Sequence, residues 1–574
     1  MRRICILVLI FTIASCSNPA RKDPKNDKEF DNWSGIELSR LTNEKPENLQ
    51  LLGMVWGFLK YYHPAVGKGL YNWDYELFRM MPSYLDAETI VERDQVLLRW
   101  INSLGEFKTG KKGVTADKAA IKISPDLDWI GKSGFSPELV AKLNEVRNAK
   151  RPEKHYYLAL TPGAGNPVFN NENSYSWKNS PDPGFRLLAL YRYWNIIQYY
   201  FPYKNLIERD WKDVLKEYIP VLISAKNEIA YRLALIRLIG QVHDSHAQVY
   251  GQDKSLSDYF GSNYAPAELS FIEGKAVVTG FYHEKYKEET GLATGDVVTS
   301  INQKSIDSIL VERLPLNPAS NYPTQLRNLA AKLLRTTETS INIEIERDHK
   351  FYSKVLKTYP MSALFDNRKQ EHDTCFKMLS PRLAYIHNGA LKKGHIPKLW
   401  EIIRSTEGLI IDIRNYPGDF PLYDLGKYLL PERLPFVKFT TGSIENPGLF
   451  SFTKTLKIGK TNKEYYRGKV VILVNEQTQS SAEFHAMAYQ VTPGAKVIGS
   501  TTAGADGNVS QLFLPGGIKT MISGIGVYYP DGKETQRVGI VPDLEIKPTI
   551  EGVKAGRDEV LEKAIEFFGE LKSS

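Results

Sequence analysis

Residues 469–490 constrain this chain most. An apolar run, Lys469–Val474, breaks into the turn Asn475-Glu476-Gln477-Thr478-Gln479, passes a serine pair at Ser480 and Ser481, and continues as the helix-forming stretch Ala482–Gln490, which Thr492-Pro493-Gly494 ends. An unbroken run of β-branched and apolar residues reads as a strand covered on both faces, and a strand that leads through a short turn into a helix is one unit of a layered α/β core. Ser480 then stands at a helix N-terminus, where unpaired backbone N–H groups and the positive end of the dipole stabilise negative charge on a substrate oxygen. The same position suits a helix cap, because Glu483 follows three residues later in the capping-box pattern. The local pattern leaves both roles open.

The surrounding chain extends the α/β pattern. Strand signals at Leu383–His387, Leu409–Arg414, Lys469–Val474 and Lys496–Gly499 alternate with helix signals at 397–404, 422–430 and 482–490, so residues 373–570 are expected to form a layered α/β core. Residues 262–359 read as a β-rich domain built around Gly291-Leu292-Ala293-Thr294-Gly295-Asp296, a turn into the strand Val297–Ile301, with a helix near 324–334 and an alternating strand over Ser340–Arg347. Nearer the N-terminus lies an internal repeat. Trp56 to Pro64 matches Trp194 to Pro202, and Trp73 with Trp211 and Arg99 with Arg237 fall at the same offset of 138 positions. Three coincidences in one register argue for a duplicated helical unit, with copies at 47–165 and 185–261. At that offset Ser245 and His246 fall opposite Phe107 and Lys108, so the two copies differ at this pair.

The segment through Ser480-Ser481-Ala482-Glu483 resembles the C-terminal-processing (tail-specific) serine protease family, whose nucleophile lies three residues before a Glu; the resemblance spans roughly 186–547. It implies that Ser480 is the nucleophile. A second element, Asp412-Ile413-Arg414-Asn415-Tyr416-Pro417-Gly418, follows the family's Asp-x-Arg pattern, with Asp419 where the family has a second Gly. By resemblance, the backbone N–H groups of Gly418 and Ser481 form the oxyanion hole. One branch of the family uses a Ser-Lys dyad, but Ala505 stands at the Lys position here; the likeness runs instead to the tricorn-like branch, whose Ser-His pair matches Ser245 and His246. That implies His246 as base, with Ser245 helping to orient it. The Glu that the family places before a Gly-Ile/Val-x-Pro-Asp element is Gln536 in this chain, ahead of Gly539 to Asp543, so the orienting group is either Gln536 or, by a shift of two residues on the same strand face, Glu534. The implied fold is multidomain α+β: the helical repeats, a PDZ-like domain over 262–359 that captures extended peptide ends, and a ClpP/crotonase-like peptidase core. Peptide or protein substrates and no cofactor are expected.

Composition narrows the alternatives. At 574 residues and 42% hydrophobic content the chain buries several cores, and its net charge of +8 lacks the sustained basic runs of a nucleic-acid binder. His243, Asp244 and His246 make a sparse set of metal-ligand types with no dense cluster beside them, so no metal is expected. His485 is read as a helix-packing residue. Met1-Arg2-Arg3 followed by the short apolar run 4–14 has the form of a secretory signal, too short to span a membrane. Ile13-Ala14-Ser15-Cys16 resembles a bacterial lipobox, implying lipidation of Cys16, removal of residues 1–16 except that cysteine, a polar tether over 17–46, and a lipid-anchored protein of the cell envelope, with the outer membrane favoured because Ser17 is not Asp. Cys5 leaves with the signal, and Cys375 has no disulfide partner and is expected to be a buried, inert thiol. The rival reading is a non-catalytic peptide-binding lipoprotein on the same fold.

Overall fold

A computed structural model describes residues 24–110, 117–364 and 375–570. Cys16 and the signal-like segment therefore lie outside the described residues. Among the described residues no helix is long and apolar enough to cross a membrane.

The helical region contains two units with the same internal layout. Helices Pro46–Tyr62, Trp73–Leu85 and Ile90–Ser103 correspond at the 138-residue offset to Pro183–Tyr200, Trp211–Ile223 and Glu228–Gly240, down to a proline inside each middle helix, Pro82 and Pro220. Each unit is pinned by reciprocal indole bonds. Trp56 donates to the Trp73 carbonyl and Trp73 to that of Trp56, both at 3.0 Å, while Trp194 and Trp211 exchange the same pair at 2.6 and 3.0 Å. The first helix of each unit is apolar on nearly every face and is buried accordingly. Charges inside this core are paired: Lys60 with Glu172 at 2.6 Å, and Arg192 with both Glu172 (2.9 Å) and Asp74 (2.5 Å).

Residues 263–360 hold an antiparallel sheet in the order Lys350–Lys357, Ser340–Arg347, Val297–Ile301, Lys275–Phe281, Ala267–Ile272. The helix expected over 324–334 runs over Tyr322–Ala330 instead. Asn321 caps it through its side chain, Pro323 sits in the first turn, and Ala331 closes it as the C-cap.

In the third region six strands order as Phe376–Ser380, Leu383–His387, Gly408–Asp412, Lys469–Val474, Lys496–Gly499, Leu544–Glu545, the first pair antiparallel and the rest parallel. Alternate residues of the central strands serve two separate cores. Leu409, Ile411, Val470 and Ile472 pack with helices Ile396–Ile403, Leu422–Leu429 and Ser481–Tyr489, whereas Ile410, Val471 and Leu473 pack with Val560 and Ala564 of the last helix. Coverage on both faces is why Lys469–Val474 is an unbroken apolar run rather than an alternating one.

A hairpin from this third region, Val509–Leu514 with Ile518–Ser523, inserts into the helical region, where Leu512, Leu514, Ile518 and Ile522 are buried. Its backbone carbonyls are bonded there: Arg192 donates to Phe513 O (2.7 Å), Tyr231 to Pro515 O (2.8 Å) and the Tyr250 amide to Lys519 O (3.0 Å). This hairpin fixes how the helical units sit against the α/β core.

Candidate active site

Ser480 joins strand to helix with φ 57° and ψ −120°, a backbone conformation that non-glycine residues adopt only where the surroundings impose it. The imposing group is Glu483. Fully buried, its carboxylate accepts from the N–H groups of Ser480 (3.1 Å), Gly504 (2.8 Å) and Ala505 (3.0 Å) and from the Thr502 hydroxyl, and Ser480 N–H also donates to Ala505 O at 3.0 Å. Burial raises the Glu483 carboxyl above its ordinary value, with these donors opposing. Ser480 thus occupies the cap position, with the strained turn held through its amide on the Glu483 carboxylate.

His246 follows the last helix of the second unit and is buried. Its Nδ1 lies 2.9 Å from Ser523 Oγ, and Ser523 in turn donates its hydroxyl (3.0 Å) and its amide (2.6 Å) to Asp244, whose Oδ1 also accepts from the His246 amide at 3.1 Å. Because the Ser523 proton goes to Asp244, Nδ1–H of His246 is the donor to Ser523 Oγ. That leaves the Nε2 lone pair available to accept a proton, the tautomer a general base needs. Burial holds the imidazole below its ordinary pKa, with the Asp244 charge opposing.

Ser480 and His246 line one cleft of about 710 Å³, together with Ser481, Asp506, Phe420, Phe439 and Phe484. Among the described residues no hydrogen bond joins Ser480 Oγ to the His246 ring in this conformation.

Other expected partners sit differently. The Ser245 hydroxyl donates to Ala503 O (3.0 Å) and accepts from the Ser320 amide (2.8 Å), so it anchors the loop beneath His246 rather than touching the ring. Gln536 is buried with its Nε2 3.4 Å from both Asp244 Oδ1 and Ser320 Oγ; it supports Asp244 rather than His246. Glu534 turns away to pair with Lys122 at 3.0 Å. The Gly418 amide donates to Gly389 O at 3.1 Å and is occupied in this conformation, whereas Ser481, the first residue of its helix, lines the cleft. His485 is buried with Nδ1 2.6 Å from Ser481 O. Cys375 is half-buried rather than fully buried, 3.2 Å from His395 Nδ1, and burial pushes its thiol pKa up. Among the described residues no group of three or more His, Cys, Asp or Glu side chains is arranged to hold a metal. Ser523 carried no signal in the sequence beyond ending an alternating strand, and Asp244 was legible only as part of the sparse ligand set.

Asp506 is buried at the cleft wall; Oδ1 accepts from Gly507 N–H (2.6 Å) and Oδ2 has no partner among the described residues. Burial, reinforced by the Glu483 charge, pushes its carboxyl well above the ordinary carboxylate value. An acid whose folded pKa is raised loses stability as pH climbs past its unfolded value, so Asp506→Asn is expected to stabilise the protein at pH 8 by at least about 1 kcal/mol relative to its effect at pH 4. Thermal midpoints at the two pH values test this, and an equal or reversed effect contradicts it.

Residues 382–546 match peptidase family S41. Two curated relatives align with half of this chain. They are the carboxy-terminal processing protease CtpB of Bacillus subtilis, 22% identical over 308 residues, and the carboxyl-terminal-processing protease of Synechocystis sp., 24% identical over 290 residues. These alignments take in 51% and 50% of this chain and 58% and 59% of the relatives, so the match spans little more than half of their length. Among solved structures, mature CPAF complexed with lactacystin superposes with a TM-score of 0.54 at 15% identity, covering 68% of this chain and 99% of that one. Mature CPAF without it gives 0.51 at 15% identity, covering 66% and 96%. At such identities the likeness is one of fold. The likeness to the family and to the two relatives is one of sequence over these segments.

Proposed function

We propose that this chain is a serine endopeptidase of the cell envelope in which Ser480 attacks and His246 is the base. The observation that carries this reading is the shared cleft. It holds a strained serine at a helix N-terminus together with a histidine whose Nδ1–H is tied to the Ser523–Asp244 pair. As Ser480 Oγ bonds to the substrate carbonyl carbon, its proton passes to His246 Nε2, and the Ser481 N–H stabilises the oxyanion. His246 returns the proton to the departing amine, and water then releases the acyl group by the same steps in reverse order. Ser523 and Asp244 are positioning residues in this scheme, taking the place that the tricorn-like pattern gives to a Glu.

The sheet at 263–360 is read as the PDZ-like domain. A groove between strand Ala267–Ile272 and helix Tyr322–Ala330 continues to Gln477 beside the nucleophile loop, an arrangement suited to adding an extended peptide end as a further strand. Peptide or protein substrates, a lipid anchor at Cys16 and an outer-membrane address complete the proposal; the last two rest on residues 1–17 alone.

A fluorophosphonate probe tests the reading. The expected result is stoichiometric labelling at Ser480 that is lost in Ser480→Ala. Labelling requires neutral His246, and because burial lowers its pKa, the rate is expected to hold at neutrality and to fall only below the ordinary histidine range. Absence of labelling across pH 6 to 9 favours the rival reading, a non-catalytic peptide-binding protein on the same fold.

A further inference from the structure

The cleft beside Ser480 has one markedly apolar wall. Phe484 lies four positions after Ser480 on the helix that begins at Ser481, so one helical turn carries its ring back along the side of the nucleophile. It is held between two other rings in near-parallel stacking: Phe420 at 5.9 Å and 20°, and Phe439 at 6.0 Å and 17°. Behind it Phe436, fully buried, packs edge-on at 5.3 Å and 65°. Phe420, Phe439 and Phe484 all line the cleft, and Phe420 keeps 39% of its surface exposed at the rim. The charged and amide side chains of the same cleft come from elsewhere on its wall: Arg327 from the helix Tyr322–Ala330, Asp506 and Asn508 from the loop before the hairpin, and Gln477 and Gln479 from the turn ahead of Ser480.

Resting on the peptidase reading above, we infer that Phe420, Phe439 and Phe484 form the specificity subsite for the residue whose carbonyl is attacked, and that this subsite takes a large aromatic or branched apolar side chain. The acyl side follows from the elements involved. The departing amine must lie toward His246, which protonates it, and His246 is carried by the helical unit. The phenylalanine wall belongs to Ser480's own helix, to the loop after strand Gly408–Asp412 and to strand Leu434–Gly442. A rigid backing ring and a pre-stacked pair supply a preformed surface for another aromatic ring, whereas a charged side chain placed there leaves its solvation shell without a partner.

The test uses tripeptidyl diphenyl phosphonates that differ only in the side chain next to phosphorus (Phe, Leu, Ala, Asp or Lys), with the rate of covalent inactivation of the fluorophosphonate-reactive serine as readout. The expected order is Phe and Leu ahead of Ala by about 10-fold or more, with Asp and Lys slowest. Phe484→Ala is expected to lower the Phe-to-Ala ratio at least about 5-fold. Phe420→Ala, a change at the exposed rim, reports the same loss should the first variant fold poorly. Equal rates for Phe and Ala, a preference for Asp or Lys, or an unchanged ratio in both variants while the fluorophosphonate still labels overturns the subsite but leaves the peptidase reading standing. Failure of wild-type protein to react with the fluorophosphonate overturns both.

Discussion

Ser480→Ala and His246→Ala are each expected to slow peptide turnover by about 10³-fold or more, and the double variant to be little slower than either alone. The non-additivity follows from the geometry. His246 has its Nδ1 committed to Ser523 and its Nε2 free, so its role in the scheme is to receive one proton from one hydroxyl. Once either member is gone the other has nothing to exchange. Ser480→Ala is the safer change structurally, because the strained turn is held through the Ser480 amide, which alanine retains. Steady-state rates on a peptide substrate, with thermal midpoints as a folding control, decide the matter; full activity in His246→Ala would falsify the assignment of the base.

Trp56→Ala is expected to destabilise the protein by about 3–5 kcal/mol. Trp56 has no exposed surface, and its removal leaves a cavity, deprives the Trp73 carbonyl of its indole donor at 3.0 Å, and removes the ring that faces the buried Lys60 ammonium at 4.9 Å. Trp33→Ala is the control: that indole is 52% exposed, and its loss is expected to stay within about 0.5 kcal/mol. Urea unfolding midpoints of the two variants test the contrast, and a Trp56→Ala protein as stable as Trp33→Ala contradicts it.

Local patterns carried much of the architecture. The apolar run Lys469–Val474 is a central strand because its composition suits burial on both faces, and Ser480 caps a helix because Glu483 three residues on accepts its amide. The tryptophan register was equally legible, since each Trp pair satisfies both indoles within one unit. What the sequence did not disclose depends on contacts between distant segments. Ser523 and His246 lie 277 positions apart and meet only because the hairpin Val509–Ser523 docks into the helical region. Glu534 and Gln536 share a strand face in an idealised pattern. In the fold Glu534 pairs with Lys122 while Gln536 lies under Asp244. The occupied Gly418 amide is a property of loop packing against Gly389, which no residue type announces.

The docked hairpin also bears on how far apart the pieces of the candidate site lie in the chain. In the proposed scheme the histidine comes from the helical region, whereas the serine and the hairpin whose Ser523 steadies the imidazole come from the α/β region. A fragment that stops before Ser523 would hold His246 without its support, and a fragment that starts after His246 would hold Ser480 without its partner. On that reading the constellation exists only once the two regions have closed on one another.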